Sequence, residues 1–223
     1  MPGTIHIFGG GTVQHVRNHF ALCAPAYGTF ATELHKRLQN KGLIASLRRR
    51  FGLVSSSVKL HLTKMAYRHS KMETNEDVAE RVKAVLADPD TRAIVFNVAL
   101  CDYSGQIGDV PSGKYATRLS SRDGQQVVTL TPADKVLKTI RSLRPDVLIV
   151  GFKTTAGDNE EEQAAKAWRQ IKETGVDLVW VNDTVTRANM LISSDGNVGT
   201  PDYGTSRSDT MDWLVDTLKH CVS

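Results

Sequence analysis

Residues that could bind a phosphorylated ligand follow apolar runs at four places in the sequence. Glycine backbone amides can approach phosphate oxygens without obstruction by side chains, and a glycine run follows residues 4–8. A tight strand-to-helix turn also favours glycine, and a lysine after an apolar run can equally be a surface lysine with a buried stem. The residues are Gly9-Gly10-Gly11-Thr12, Asp102, Phe152-Lys153 and Asn182-Asp183.

Further cations lie in polar, loop-like stretches. Arg17, Lys114, Arg118 and Arg122 could bind phosphates, although loop arginines are more often solvated surface residues. Asp102 could hold a ribose hydroxyl or a metal ion, or could cap the following turn. Two histidines near the glycine run lack metal-ligand spacing with any acidic residue, so we predict neither a catalytic histidine nor a protein metal site.

An alternation of strands and helices must position these residues. The apolar runs 93–99 and 147–152 are continuous, which is typical of parallel strands covered on both faces. Helical spacing is predicted at 29–39, 76–87, 132–143 and 160–174, the last ended by Gly175. The pattern predicts an α/β, Rossmann-like fold with a mostly parallel sheet and helices on both faces. In such sheets ligands bind at the carboxyl ends of the strands.

Length and composition predict one nucleotide-binding domain over residues 1–223, with 43–57 and 104–124 as loops or insertions. Three widely spaced cysteines favour reduced thiols in a cytoplasmic protein. We see no signal peptide and no apolar stretch of the roughly 18 residues that a membrane helix needs, so no membrane partner is expected.

The chain carries a formal net charge of +4, which suits phosphorylated ligands or weak nucleic-acid binding and decides neither. Arg48-Arg49-Arg50 could touch nucleic acid. A solvated loop is the favoured interpretation, because no aromatic stacking platform accompanies the arginines. Nucleic acid is therefore not the expected partner.

Six short motifs occur in order along the chain: GGGT at 9–12, VR at 16–17, ALCDY at 99–103, RLSS at 118–121, GFK at 151–153 and VND at 181–183. None is specific alone. Together, their order and spacing resemble the phosphopantothenoylcysteine synthetase family, also called phosphopantothenate–cysteine ligase, in its stand-alone form. The resemblance is distant and spans most of the chain.

The resemblance implies a homodimeric ligase with small-molecule substrates, acting in coenzyme A biosynthesis. The carboxylate of phosphopantothenate attacks the α-phosphorus of CTP or ATP, assisted by Mg²⁺, and cysteine then displaces the nucleotide to form an amide. The implied catalytic residues are Asn18, Arg118 and Lys153, with Arg17 at the substrate phosphate. The implied nucleotide-binding residues are the glycine-run amides, Asp102, Lys114, Phe152 (against the base), Asn182 and Asp183.

One departure from the family pattern concerns the acid-binding half of the site. Ala21 stands where the family has an asparagine that stabilises the acyl-nucleotide, and Asn18 could substitute only in a rebuilt loop. A nucleotide-binding protein, or another nucleotide-dependent enzyme that has lost the pantothenate site, is therefore an alternative. The sequence does not distinguish CTP from ATP.

Overall fold

The computed structural model describes residues 3–40, 57–195 and 206–221. In these ranges ten strands occur in chain order: β1 (Thr4–Gly11), β2 (Val13–Arg17), β3 (Phe20–Cys23), β4 (Ser57–Leu62), β5 (Thr91–Ala99), β6 (Tyr103–Gln106), β7 (Thr129–Pro132), β8 (Leu148–Thr155), β9 (Leu178–Asp183) and β10 (Asn189–Ser193). Six of them form the central sheet, in the order β10-β9-β8-β5-β1-β4. All neighbours in this sheet are parallel except β10, which is antiparallel to β9.

Within the same ranges, five helices connect or follow these strands: α1 (Thr29–Asn40), α2 (Asn75–Leu86), α3 (Val136–Leu143), α4 (Glu160–Thr174) and α5 (Arg207–Cys221). Local sequence explains several of their ends. Thr74 and Asp77 form a capping box that begins α2. Asn159 and Glu162 form another at the start of α4, which ends at Gly175 in the left-handed conformation, as predicted.

Helices cover both faces of the sheet. On one face α2, α3 and α4 pack through residues such as Val78, Ile140 and Ile171. On the other face α1 and α5 pack through residues such as Leu34 and Leu214. The predicted α/β, Rossmann-like fold with a mostly parallel sheet is therefore confirmed.

The strand order places a topological switch point at β1, which has β4 on one side and β5 on the other. The chain runs from β1 to β4 on one side and then from β4 back across β1 to β5 on the other, so a crevice is expected at the carboxyl ends of β1 and β5. The candidate site must lie at this edge.

Two small hairpins, β2–β3 and β6–β7, lie outside the central sheet and contact each other through β2 and β6. Neither hairpin was predicted. Segment 104–124 is thus not all loop, because its first residues belong to β6 and residues 121–123 form a short 3-10 turn. Pro132 ends β7 rather than opening a helix. Apart from Ser57, segment 43–57, with its arginine cluster, lies outside the described residues.

Within the described ranges, no helix is both long enough and apolar enough to cross a membrane.

Candidate functional site

A cleft of about 540 Å³ lies at the carboxyl ends of β5 and β8, on the sheet face that α3 and α4 cover. Its volume lies within the range of small-molecule pockets. We call it the main cleft and define it by its charged lining residues: Asp102, Asp134, Lys135, Lys153, Lys166, Arg169 and Glu173. Asp102 and Lys153 thus share one cleft, which the predicted convergence of strand ends requires.

The charges of the main cleft are only partly neutralised. Lys166 pairs with Asp158, outside the cleft lining, and Lys135 lies 4.0 Å from Glu173. Lys153 and Arg169 have no hydrogen-bond or ion-pair partner among the described residues. Two unpaired cations on facing elements, β8 and α4, can therefore bind an anion at low desolvation cost.

Phe152 and Lys153 point to opposite faces of the sheet, because successive strand residues alternate. The Phe152 ring packs edge-on against Phe30, with ring centroids 4.8 Å apart, and lies parallel to Trp180 at 6.1 Å. Phe152 borders the main cleft at the strand end, but its ring belongs largely to the core under α1 and α5.

The glycine run is strand rather than turn, which corrects the predicted boundary of β1. Residues 9–11 pair with 97–99 of β5 and are buried. A Cβ added to Gly11 would lie 2.0 Å from the Ala24 carbonyl oxygen, and one added to Gly10 would lie 2.2 Å from Thr63 Oγ1. Glycine is required here because neighbouring backbone and side chains pack directly on the strand.

Thr12 joins the end of β1 to the start of α2 and the end of β5. Its hydroxyl donates to Asn75 Oδ1 at 2.6 Å and accepts from the Cys101 amide at 3.0 Å. Asn75 Nδ2 in turn donates to the Cys101 carbonyl oxygen at 2.8 Å. The buried Thr12 therefore fixes the backbone that presents Asp102 to the main cleft.

Asp183 organises the turns beyond β8 and β9. Its carboxylate accepts from the Thr155 hydroxyl and from four backbone amides, those of residues 157, 158, 185 and 186, at 2.8–3.2 Å. Burial alone would raise the pKa of Asp183, but these hydrogen bonds outweigh it and hold the pKa well below its usual range. Asn182 accepts from the Thr154 hydroxyl at 3.2 Å.

Ten predicted site residues are not among those that line the main cleft: the three glycines of the glycine run, Thr12, Asn182 and Asp183, described above, and Arg17, Asn18, Lys114 and Arg118. Arg17 is 3% exposed and donates to the carbonyl oxygens of Val16 and Ile107. Asn18 lies in the β2–β3 turn, where its side chain hydrogen-bonds to His19. Arg118 lines a second, shallow depression beside His19, and Lys114 lines a third cavity, where it pairs with Glu73.

Sequence reasoning missed the cations that α3 and α4 contribute. Lys166 and Arg169 are three residues apart and so share one face of α4, as helical spacing could have indicated. Lys135 just precedes α3. No sequence signal linked His15 to Glu73, which meet only in the folded chain. Among the described residues, no cluster of three or more His, Cys, Asp or Glu could hold a metal ion.

The fold and cleft define an open-sheet α/β protein with a cleft at the carboxyl edge of its strands that four cationic and three acidic side chains line. No protein-family model matches the chain. A curated relative, the coenzyme A biosynthesis bifunctional protein CoaBC of Thermococcus kodakarensis, is 30% identical over 113 residues. The match spans 50% of this chain and 26% of that protein.

Solved structures share the fold over nearly the whole chain. The DNA/pantothenate metabolism flavoprotein from Streptococcus pneumoniae superposes with a TM-score of 0.74 at 16% identity, over 98% of this chain and 99% of that one. The C-terminal domain of a CoaBC protein gives 0.63 at 13% identity, over 98% and 94%. A Cab2 variant in complex with phosphopantothenate-cysteine gives 0.56 at 14% identity, over 98% and 88%. The predicted distant resemblance to phosphopantothenoylcysteine synthetases is therefore confirmed.

Proposed function

We propose that the chain is a nucleotide-dependent ligase that joins phosphopantothenate to cysteine through an acyl-nucleotide. One observation carries this proposal: the main cleft holds two unpaired cations, Lys153 and Arg169, opposite the strand end that bears Asp102. A polyanion such as a nucleoside triphosphate is the ligand that such a charge arrangement binds. The similarity to CoaBC supports this ligand class.

In the first step, the substrate carboxylate attacks the α-phosphorus of CTP or ATP, and pyrophosphate leaves. Lys153 and Arg169 stabilise the negative charge that grows on the departing phosphates. Both side chains are exposed at the rim of the cleft, so they can reach a triphosphate without a prior loss of internal ion pairs. Phe152 and Asn182 would lie beside the nucleoside.

Mg²⁺ bound with the nucleotide would supply charge neutralisation for the phosphates at this site. The donor set fits, because Asp102 and Asp134 both line the main cleft and neither carboxylate has a partner among the described residues. Mg²⁺ commonly binds through one or two carboxylates together with substrate phosphates. These two side chains would hold it.

The test is a thermal-shift titration of CTP and ATP, with and without phosphopantothenate, followed by a pyrophosphate-release assay. A ligand at 100 times its Kd stabilises the fold by about 2.7 kcal/mol. We expect stabilisation by a nucleotide, and pyrophosphate release only when phosphopantothenate is also present. Stabilisation by neither nucleotide would refute the proposal.

Lys153→Ala should lower the kcat/KM for pyrophosphate release at least tenfold, about 1.4 kcal/mol of transition-state stabilisation, because one of the two unpaired cations is lost. Lys83→Ala is the matched control, since Lys83 is an exposed lysine of α2 that lines none of the three cavities. Unchanged turnover in a folded Lys153→Ala variant would remove Lys153 from the site.

A nucleotide-binding protein without ligase activity is the second candidate. The observations that favour it are the apolar Ala21 on β3 and the burial of Arg17 against backbone carbonyls. Both lie where the resemblance predicts the acid-binding half of the site. This candidate predicts nucleotide-dependent stabilisation without pyrophosphate release.

The homodimer implied by the resemblance is also part of the proposal. Exposed apolar side chains gather on and beside the β6–β7 hairpin, including Tyr103, Val127 and Leu130. Such a patch supports association with a second copy. Light scattering after size-exclusion chromatography should give twice the monomer mass, and a strictly monomeric protein would contradict this part of the proposal.

A further inference from the structure

The third cavity, of about 370 Å³, lies outside the main cleft. It is bounded by β2, the start of α2 and the loop at 112–114. We call it the His15 cavity and define it by Gln14, His15, Lys71, Glu73, Glu76 and Lys114. None of the roles assigned so far uses its histidine.

His15 and Glu73 face each other in this cavity. His15 Nε2 lies 3.7 Å from Glu73 Oε1, is inaccessible to solvent and has no hydrogen bond to a described residue. His15 Nδ1 likewise has no hydrogen bond within the described ranges. A tautomer with its proton on Nε2, towards the carboxylate, leaves Nδ1 free to accept a proton. Carboxylate-oriented imidazoles act as general bases in this way.

Two lysines keep Glu73 ionised. Lys114 hydrogen-bonds to Glu73 Oε2, and Lys64 lies 3.2 Å from the same oxygen. The Lys114 hydrogen bond, supported by Lys64, holds the pKa of Glu73 below its ordinary value. Because both lysines bind Oε2, Oε1 remains available to His15. Glu73 is therefore a positioning residue for the imidazole.

The wall of the His15 cavity is continuous with the backbone that borders the main cleft. The Glu73 carbonyl oxygen accepts from the Val13 amide at 2.9 Å, which ties the segment to β2. Two residues later, Asn75 donates to the Cys101 carbonyl oxygen, and Cys101 lines the main cleft together with Asp102. The segment 73–75 thus links the two cavities. Through this segment the His15 cavity is connected to the strand end where the acyl-nucleotide would form.

We infer that the His15 cavity binds the amine acceptor, an α-amino acid, and that His15 is the base that accepts a proton from its ammonium group. This inference rests on the proposed function. Lys71, which has no partner among the described residues, provides a cation for the amino-acid carboxylate. The cross-strand neighbour of His15 is Ala21, which offers no polar group that could replace the imidazole.

The amine loses two protons and the nucleoside monophosphate leaves as the amide bond forms. The ammonium group passes one proton to neutral His15, and the freed nitrogen lone pair forms a bond to the acyl carbon. The bond between that carbon and the phosphate oxygen breaks, and the nucleoside monophosphate leaves with the electron pair. The nitrogen loses its second proton to the departing phosphate. Glu73 stabilises the imidazolium until it releases its proton to water.

The test separates the two chemical steps in His15→Ala and His15→Gln variants. Single-turnover pyrophosphate release without amine reports the first step, and amide formation after addition of cysteine reports the second. General bases contribute typically about 10² to 10⁴-fold, so we expect amide formation to slow at least tenfold while pyrophosphate release stays within about twofold of the parent. Added imidazole should restore part of the rate in His15→Ala. His220→Ala, which removes an exposed histidine of α5, is the control.

The outcomes distinguish failure of the His15 assignment from failure of the proposed function. Slower amide formation with intact pyrophosphate release and imidazole rescue supports the inference. Unchanged amide formation in folded His15→Ala and His15→Gln, or an equal loss in both steps, overturns it and leaves the proposed function standing. Absence of pyrophosphate release from the parent protein, with phosphopantothenate and either nucleotide, overturns the proposed function itself.

Discussion

Acidification should destabilise this protein through a buried histidine pair on β1 and β4. Arg81 Nε donates to His61 Nδ1 at 3.2 Å, and His61 Nε2 lies 2.9 Å from His6 Nδ1. His6 Nε2 lies 3.3 Å from Thr91 Oγ1, which donates to the Val85 carbonyl oxygen at 2.6 Å. This series of hydrogen bonds begins at the Arg81 guanidinium, which can only donate, and ends at the Val85 carbonyl oxygen, which can only accept. Both imidazoles must therefore carry their single proton on Nε2. The Nδ1 atom of each ring already accepts a hydrogen bond, so a second proton there would break that bond.

The pKa values of both histidines reflect this arrangement. Burial, helped by Lys59 and Arg81, lowers the pKa of His6 to about 4 against the opposing charge of Asp88. Burial, helped by Arg81 and His6, lowers the pKa of His61 to about 3. As the pH falls below about 6.5, the two histidines take up protons in the unfolded chain before they do so in the folded one. The free energy of unfolding therefore has its full value above about pH 6.5 and decreases as the pH falls towards 4 and 3.

The magnitude follows from the linkage between protonation and folding. Each histidine costs about 1.4 kcal/mol per pH unit below 6.5, hence up to about 2 kcal/mol at pH 5. Because water can relax around a protonated ring, we expect roughly 2 to 4 kcal/mol for the pair. That is a large share of the roughly 5–15 kcal/mol that stabilises a typical domain.

Urea unfolding of the parent, His61→Gln and the exposed-site control His220→Gln at pH 8 and pH 5 measures this effect. Glutamine can accept from Arg81 and donate to His6 but does not titrate in this range, so about half of the pH dependence should disappear. Carboxylates with lowered pKa values, such as Glu73, remain ionised between pH 8 and pH 5 and therefore do not contribute to this difference. A pH dependence that is equal in His61→Gln and in the parent would refute this reasoning.

Three further substitutions test the assignments around the site. Gly11→Ala should destabilise the fold by more than about 1 kcal/mol in urea unfolding, because its Cβ would lie 2.0 Å from the Ala24 carbonyl oxygen; an unchanged midpoint would show that β1 is less tightly covered. Arg17→Met should cost about 1–3 kcal/mol of unfolding free energy by leaving two buried carbonyl oxygens unpaired, whereas a stable variant with weaker phosphopantothenate binding would assign Arg17 to the substrate instead. Asp183→Asn should lower the Tm at pH 7, because an amide cannot replace the ionised acceptor of five hydrogen bonds; an unaltered Tm would contradict the structural role.

Local patterns in the sequence predicted β5, β8 and four of the five helices in the described ranges, although not the end of β1 or the start of α3. A buried parallel strand must be apolar on both faces, so β5 and β8 were visible as continuous apolar runs. Helix ends depend on neighbouring residues only, which is why Gly175 marked the end of α4. The same local logic indicated that Asp102 and Lys153 follow strands and so approach one edge of the sheet.

The composition of the site was decided by tertiary structure alone. Strand alternation separates Lys153 from the Phe152 ring, but it does not state which helices cover which face. Only the placement of α1 and α4 shows that Lys153 lies on the side of the main cleft and the Phe152 ring in the opposite core. Arg169 reaches the main cleft only because α4 packs beside β8. His15 and Glu73 meet because the β2–β3 hairpin folds against the start of α2. These contacts join residues far apart in the chain, and periodicity within a short window carries no information about them.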